Sequence, residues 1–179
     1  MKNRKSIRLP NSDYSMNGGF FITICTKNRE CIFGEIKNGH MVLNETGMIV
    51  QDEWEKSFKI RLELLCPAYI VMPNHIHAIV IIDRGDDNRR DARPCVPTKF
   101  GIAKRMPKSI SSFVAGFKSS ATKRINIFRN QPGIPVWQSR YYDRIIRNSK
   151  EFNNIENYII NNPANWREDE SNPEYKKIA

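Results

Sequence analysis

The chain has 179 residues, a formal charge of +10, and a composition that is 40% hydrophobic and 27% charged. That is the size of one domain with a proper core, and the apolar and aromatic content excludes wholesale disorder. The excess of Lys and Arg points to a polyanionic partner, nucleic acid ahead of an acidic membrane surface.

Residues 1–17 read as a basic N-terminal arm carrying Lys2, Arg4, Lys5 and Arg8, and Gly18-Gly19 ends it. No apolar segment follows the basic start and no stretch is apolar enough to span a bilayer, so the expected location is the cytoplasm, without a membrane partner. Cys25, Cys31, Cys66 and Cys95 form no Cys-x-x-Cys pair and read as scattered thiols in a reducing compartment.

Phe20 to Thr26 is β-branched and aromatic, which predicts a first strand. Cys31–Phe33 and Met41–Leu43 flank Asn38-Gly39, a dipeptide that supplies the positive φ angles of a tight hairpin. Asn44 can cap a helix whose apolar positions are Ile49, Trp54 and Phe58, ending near Phe58 or Lys59. Leu62–Cys66 and Ala68–Met72 then lead into the stretch Val71-Met72-Pro73-Asn74-His75-Ile76-His77-Ala78-Ile79-Val80.

On a strand, His75 and His77 share one face and Ile76 takes the other. The chain has three histidines, and two of them stand here. Paired imidazoles on one strand face are half of a metal site. The plain alternative is two polar side chains on a wet strand face. The expected arrangement is a sheet with both imidazoles on its exposed face and Ile76 buried.

Residues 84–108 read as a long flexible loop: a charged run followed by Pro94, Pro97, Gly101 and Pro107, with Lys99, Lys104, Arg105 and Lys108 making its second half basic. Ser109 caps a second helix, where Ile110, Phe113, Val114, Phe117, Ala121 and Ile125 form one apolar stripe. Lys118, Lys123 and Arg124 lie off that stripe and are expected to face outward. Val136 to Ile146 is extended, with Arg140, Arg144 and Arg147 interleaved with Trp137, Tyr141 and Tyr142, a mixture that suits single-stranded nucleic acid, although for the aromatics a strand with one wet and one buried face comes first. Ser149 begins a last helix with Phe152, Ile155 and Ile159 packed inward and Pro163 at its end. The tail beyond it is polar and expected to be loose.

The element order is β-α-β-β-α-β with a hairpin insertion and an added C-terminal helix. This is an α+β chain of the ferredoxin-like, split βαβ kind, with a central antiparallel sheet and the histidine strand beside the first strand. The domain is expected over 18–166, with 167–179 a polar tail. On the last helix Tyr158 and Asn162 are four apart and share a face. If that face opposes His75 and His77, a hydroxyl nucleophile and an oxygen ligand join two nitrogen ligands. A divalent ion there would polarise a phosphoryl oxygen for in-line attack. Read without the histidines, Tyr158 is better explained as a helix-surface or half-buried packing residue.

Pro73-Asn74-His75-Ile76-His77 resembles the His-hydrophobe-His motif of single-stranded DNA endonucleases that use a catalytic tyrosine. With Phe20-Phe21-Ile22-Thr23-Ile24-Cys25-Thr26, Trp137-Gln138-Ser139-Arg140-Tyr141-Tyr142-Asp143 and Tyr158-Ile159-Ile160-Asn161-Asn162-Pro163, the chain resembles the REP-associated tyrosine transposases, in order from about residue 4 to 166. The resemblance implies a ferredoxin-like fold, Mg²⁺ or Mn²⁺, and cleavage of one DNA strand near a hairpin through a reversible 5′-phosphotyrosine. It implies His75, His77 and Asn162 as metal ligands and Tyr158 as nucleophile, with Tyr141 and Tyr142 the alternatives if the last helix is misaligned. Single-stranded or hairpin DNA is then the expected partner, at the bacterial nucleoid, with Lys118, Lys123, Arg140 and Arg144 as candidate DNA contacts and a monomer or homodimer equally open. A non-cleaving hairpin-binding protein on the same fold, and a metal-dependent nuclease that uses water, are the alternatives.

Overall fold

The computed structural model describes residues 18–83 and 108–175. The expected basic arm at 1–17, all but residue 108 of the loop expected over 84–108, and residues 176–179 lie outside the described residues. The elements run β1 (Gly18–Cys25), β2 (Gly34–Lys37), β3 (His40–Leu43), α1 (Glu45–Ile60), β4 (Leu64–Met72), β5 (His75–Ile82), α2 (Ile110–Phe128), β6 (Tyr142–Ile146) and α3 (Ser149–Asn161). Strands β4, β5, β1 and β6 form one antiparallel sheet in that order, and β2 pairs with β3 alone. With the hairpin set aside, this is the ferredoxin-like split βαβ arrangement, and the histidine strand lies beside β1 as expected.

Local chemistry sets the boundaries. Asn38 and Gly39, at φ 52° and 75°, make the hairpin turn. The Asn44 side chain accepts from Gly47 N at the start of α1. Ser109 and Ser112 form a reciprocal capping box on α2, and Asn148 caps α3 by accepting from Glu151 N. The two runs expected at 62–66 and 68–72 are one strand, β4, whose register shifts between Leu65 and Ala68. Pro67 falls in that gap and has no N–H to give the ladder. The extended stretch expected from Val136 enters the sheet only at Tyr142, because Trp137 turns into the core and pairs singly with Thr26.

The sheet separates two environments. Phe20, Ile22 and Ile24 of β1 and Ile76, Ala78, Val80 and Ile82 of β5 point to the side covered by α1 and α2. There Trp54 stands 5.0–5.4 Å, ring to ring, from Phe58, Phe113 and Phe117. The other face carries Phe21, Thr23, His75 and His77, and α3 packs over β4 and β5 on that side. Both imidazoles are therefore covered, with His75 0% and His77 5% exposed, rather than on an open sheet face. Within the polar tail, the described residues 167–175 are not loose. Trp166–Glu168 forms a 3₁₀ turn, and the chain beyond it is bonded back to the body: Arg29 Nη1 donates to Glu170 O at 2.7 Å and Asn74 Nδ2 to Ser171 O at 2.7 Å.

Gly47, in the first turn of α1, sits against the Phe33 carbonyl, where an added Cβ would come within 2.1 Å of the oxygen. Helix propensity alone favours Gly47→Ala by about 1 kcal/mol. The clash is with backbone, so overpacking dominates and the variant is expected to lose about 1–3 kcal/mol. Urea denaturation checks the sign, and a more stable Gly47→Ala protein would contradict this packing.

Candidate active site

Strand β5 begins directly after the Pro73-Asn74 turn, so its first residue, His75, lies at the sheet end and His77 one pleat further in. The rings are 4.3 Å apart, centroid to centroid. Each is held through Nδ1: His75 by Asn74 Oδ1 at 2.8 Å, His77 by Thr23 Oγ1 at 2.9 Å across the β1–β5 pair. Burial is the main cause that pushes His75 down to about 4 and His77 well below the usual imidazole range, so both are neutral at pH 7. Neutral imidazoles fastened at Nδ1 present Nε2 to the space under α3.

Helix α3 supplies the rest. The Tyr158 hydroxyl lies 3.2 Å from His77 Nε2, and its ring stands 5.2 Å from His77 and 6.1 Å from Phe21. Burial, and then the Asp169 carboxylate, push its pKa above the ordinary phenol value, so the resting group is a phenol. One turn on, Asn162 is 2% exposed and donates from Nδ2 to Asp169 Oδ2 at 3.1 Å. Among the described residues, His75 Nε2 and Asn162 Oδ1 are buried without a hydrogen-bond partner. Buried acceptors left bare are costly, and a cation is the group that would satisfy them. His75, His77 and Asp169 offer ligand atoms that all lie within 4.8 Å of one another. The donor set therefore fits a divalent metal.

The four residues singled out in the sequence, His75, His77, Tyr158 and Asn162, converge at one place. Asp169 was missed. It stands in a charged segment, Arg167-Glu168-Asp169-Glu170, where nothing in the pattern marks one acid from the next. Tyr142 shares this sheet face but reaches only Phe21, at 6.5 Å, while Tyr141 bonds Ser111 Oγ at 3.1 Å. The basic residues divide. Arg144 lines an open basin of about 580 Å³ beside Tyr158, together with Phe21, Arg147, Lys150 and Glu151, and its guanidinium is bonded to Glu151. Lys118 and Lys123 are on α2, across the sheet from α3. Lys118 does not face outward: its ammonium donates to Gln138 O at 2.8 Å and Arg140 O at 3.0 Å, and burial lowers it to about 8. Arg140 is exposed on the segment leading to β6.

No protein-family model matches the chain. It is 37% identical over 171 residues to an uncharacterized protein of Haemophilus influenzae, covering 93% of this chain and 92% of that one. Over 151 residues it is 23% identical to the REP-associated tyrosine transposase of Escherichia coli K12, covering 84% of this chain and 69% of that protein. The chain resembles the REP-associated tyrosine transposase family. A solved REP-associated tyrosine transposase bound to a REP hairpin has the same fold, with a TM-score of 0.58 at 20% identity over 89% of this chain and 74% of that one. This relation supports a transposase-like, DNA-binding function. No described helix is long and apolar enough to cross a membrane.

The depressed histidines carry a stability signature in the metal-free state. The folded rings stay neutral where the unfolded chain, with ordinary imidazoles near 6.5, takes up protons. Stability is therefore highest above about 6.5 and falls as the pH drops toward 4, with His75 alone contributing on the order of 3 kcal/mol. Urea unfolding with chelator at pH 7 and pH 4.5 should show that loss, and a His75→Gln, His77→Gln double variant should show less of it.

Proposed function

We propose that the protein is a metal-dependent single-stranded DNA endonuclease and strand transferase. It nicks near a hairpin repeat through a 5′-phosphotyrosine at Tyr158, and it can rejoin the strand. The single observation that carries the reading is the Tyr158 hydroxyl, 3.2 Å from His77 Nε2, beside the bare acceptors His75 Nε2 and Asn162 Oδ1. The solved relative bound to a REP hairpin favours hairpin DNA as the partner.

His75, His77 and Asn162 would hold Mg²⁺ or Mn²⁺, with Asp169 beside them, and two imidazoles mixed with oxygen donors suit Mn²⁺ well. When bound, such an ion supplies Lewis-acid polarisation of a phosphoryl oxygen. The chain's own groups do the rest. Tyr158 is kept as a phenol by burial and by Asp169 until substrate arrives, and its oxygen then bonds the phosphorus as the bond to the 3′ oxygen breaks. The phenolic proton leaves and the departing 3′ oxygen takes one up. The phosphodiester energy stays in the tyrosyl ester, so the free 3′-hydroxyl can reverse the step without a nucleotide cofactor.

The strand has a route to the nucleophile. Arg144, Arg147 and Lys150 border the basin that opens beside Tyr158, and Phe21 and Tyr142 offer aromatic surface next to it. Charge tracks phosphates and rings stack on bases in single-strand sites. The reading gives Lys118 a different part: it holds the 138–140 backbone rather than DNA.

Trapping with labelled hairpin DNA tests the chemistry. Wild type should form a covalent adduct in Mn²⁺. Tyr158→Phe should bind DNA, fold normally and form neither adduct nor nick, while Tyr142→Phe should keep the adduct. A nick without adduct would move the assignment to a water-using nuclease, and binding alone to a non-cleaving hairpin protein.

The basin makes a separate expectation. Arg147→Ala with Lys150→Ala should weaken single-strand binding and make the log–log salt slope shallower by about 1.4, since each phosphate contact on a single strand contributes about 0.7. Anisotropy titrations between low and moderate salt measure it. An unchanged slope would place the strand elsewhere.

A further inference from the structure

Asn74 is fully buried in the turn between β4 and β5, and its amide has no freedom. Both Nδ2 hydrogens are committed to carbonyls, Arg29 O at 3.0 Å and Ser171 O at 2.7 Å. The atom left to face His75 Nδ1, at 2.8 Å, is the oxygen, which can only accept. His75 Nδ1 must therefore carry the ring's single proton. His75 Nε2 is left as a bare lone pair, buried and without a partner among the described residues.

We propose that Asn74 is a positioning residue that locks His75 in the Nδ1–H tautomer, so that Nε2 is ready for the divalent ion, and that the lock is itself set by the carbonyls of Arg29 and Ser171. The proposal rests on the metal site of the reading above. It adds a residue that touches neither metal nor DNA and acts through His75.

The two carbonyls are independently held in place. Arg29 lies in a 3₁₀ turn with φ 57°, an unusual value for a residue with a side chain, and the preceding Asn28 has φ 56°. That conformation turns the Arg29 carbonyl to Asn74 while its guanidinium reaches Glu170 O at 2.7 Å. Ser171 N donates to Asp169 Oδ1 at 2.6 Å, which fixes the turn that carries the Ser171 carbonyl. The same Asp169 accepts from Asn162 Nδ2 through its other oxygen, so Asn162 too has its nitrogen turned away and its oxygen bare. One C-terminal turn thus orients two ligand candidates, the first through Asn74 and the second directly. Partners of this kind, behind the ligands, fix ring tautomer and raise metal affinity.

The test separates tautomer from activity. Long-range ¹H–¹⁵N spectra of the metal-free full chain at pH 7.5 report which nitrogen of His75 is protonated, and calorimetric titration with Mn²⁺ reports affinity. Wild type should show Nδ1–H. Asn74→Ala should release His75 to the other tautomer or a mixture and weaken Mn²⁺ binding about 10–100-fold. Asn74→Asp keeps an oxygen acceptor against Nδ1, so it should retain the Nδ1–H tautomer although it loses both bonds to the carbonyls. If Asn74→Ala does not fold, the wild-type and Asn74→Asp spectra still decide. An Nε2–H tautomer in wild type overturns the proposal, as does an Asn74→Ala protein with unchanged tautomer and Mn²⁺ affinity. A wild-type protein that holds the Nδ1–H tautomer yet binds no Mn²⁺ would instead overturn the metal-dependent reading on which the proposal rests.

Discussion

Two imidazoles buried side by side on a central strand must be kept neutral, and each must have its ring N–H met by an acceptor. The cost of a buried charge, or of an unmet donor, is several kcal/mol, comparable with a large share of a domain's net stability. His75 meets this demand through Asn74, and His77 is bonded to Thr23 and Tyr158. The Thr23 contact exists only because β1 and β5 pair in the register that sets Thr23 opposite His77. A slip of one residue would turn both histidines into the apolar core and Ile76 out of it.

The sheet then acts as a partition. One face is the hydrophobic core, in which Trp54, Phe113 and Phe117 lock α1 and α2 together. The other is a polar cleft under α3, where Tyr158, Asn162 and the histidines meet. The buried carboxylate in the α1–α2 interface is bonded: Glu53 is held by Ser120 and Arg124, whose bonds outweigh burial and keep it below the usual range. On the α3 side two buried acceptors, His75 Nε2 and Asn162 Oδ1, are left bare among the described residues.

The segment beyond α3 carries more than its composition announces. Its carbonyls and the Asp169 carboxylate reach back to Arg29, Asn74 and Asn162, residues from three different parts of the chain. The turn that receives it holds two residues in the left-handed region, Asn28 and Arg29. Backbone of that kind persists only where surrounding contacts impose it, and here those contacts run to the histidine strand.

Much of the fold is legible in the sequence because its elements are locally determined. The apolar stripe of α2, the Asn38-Gly39 turn, the caps Asn44 and Ser109, and the period-two placement of His75 and His77 all follow from side-chain spacing and turn chemistry. Tyr158 and Asn162 share a helix face for the same reason. Tertiary structure alone decided that this face lies over the histidines, that α3 buries them, that Lys118 is spent on backbone carbonyls, and that Asp169, one of several acids in a polar segment, is the one beside the site. The physical reason is range. Periodicity and capping act over a few residues, whereas a contact such as Asn74 with Ser171, 97 positions apart, depends on how whole elements pack.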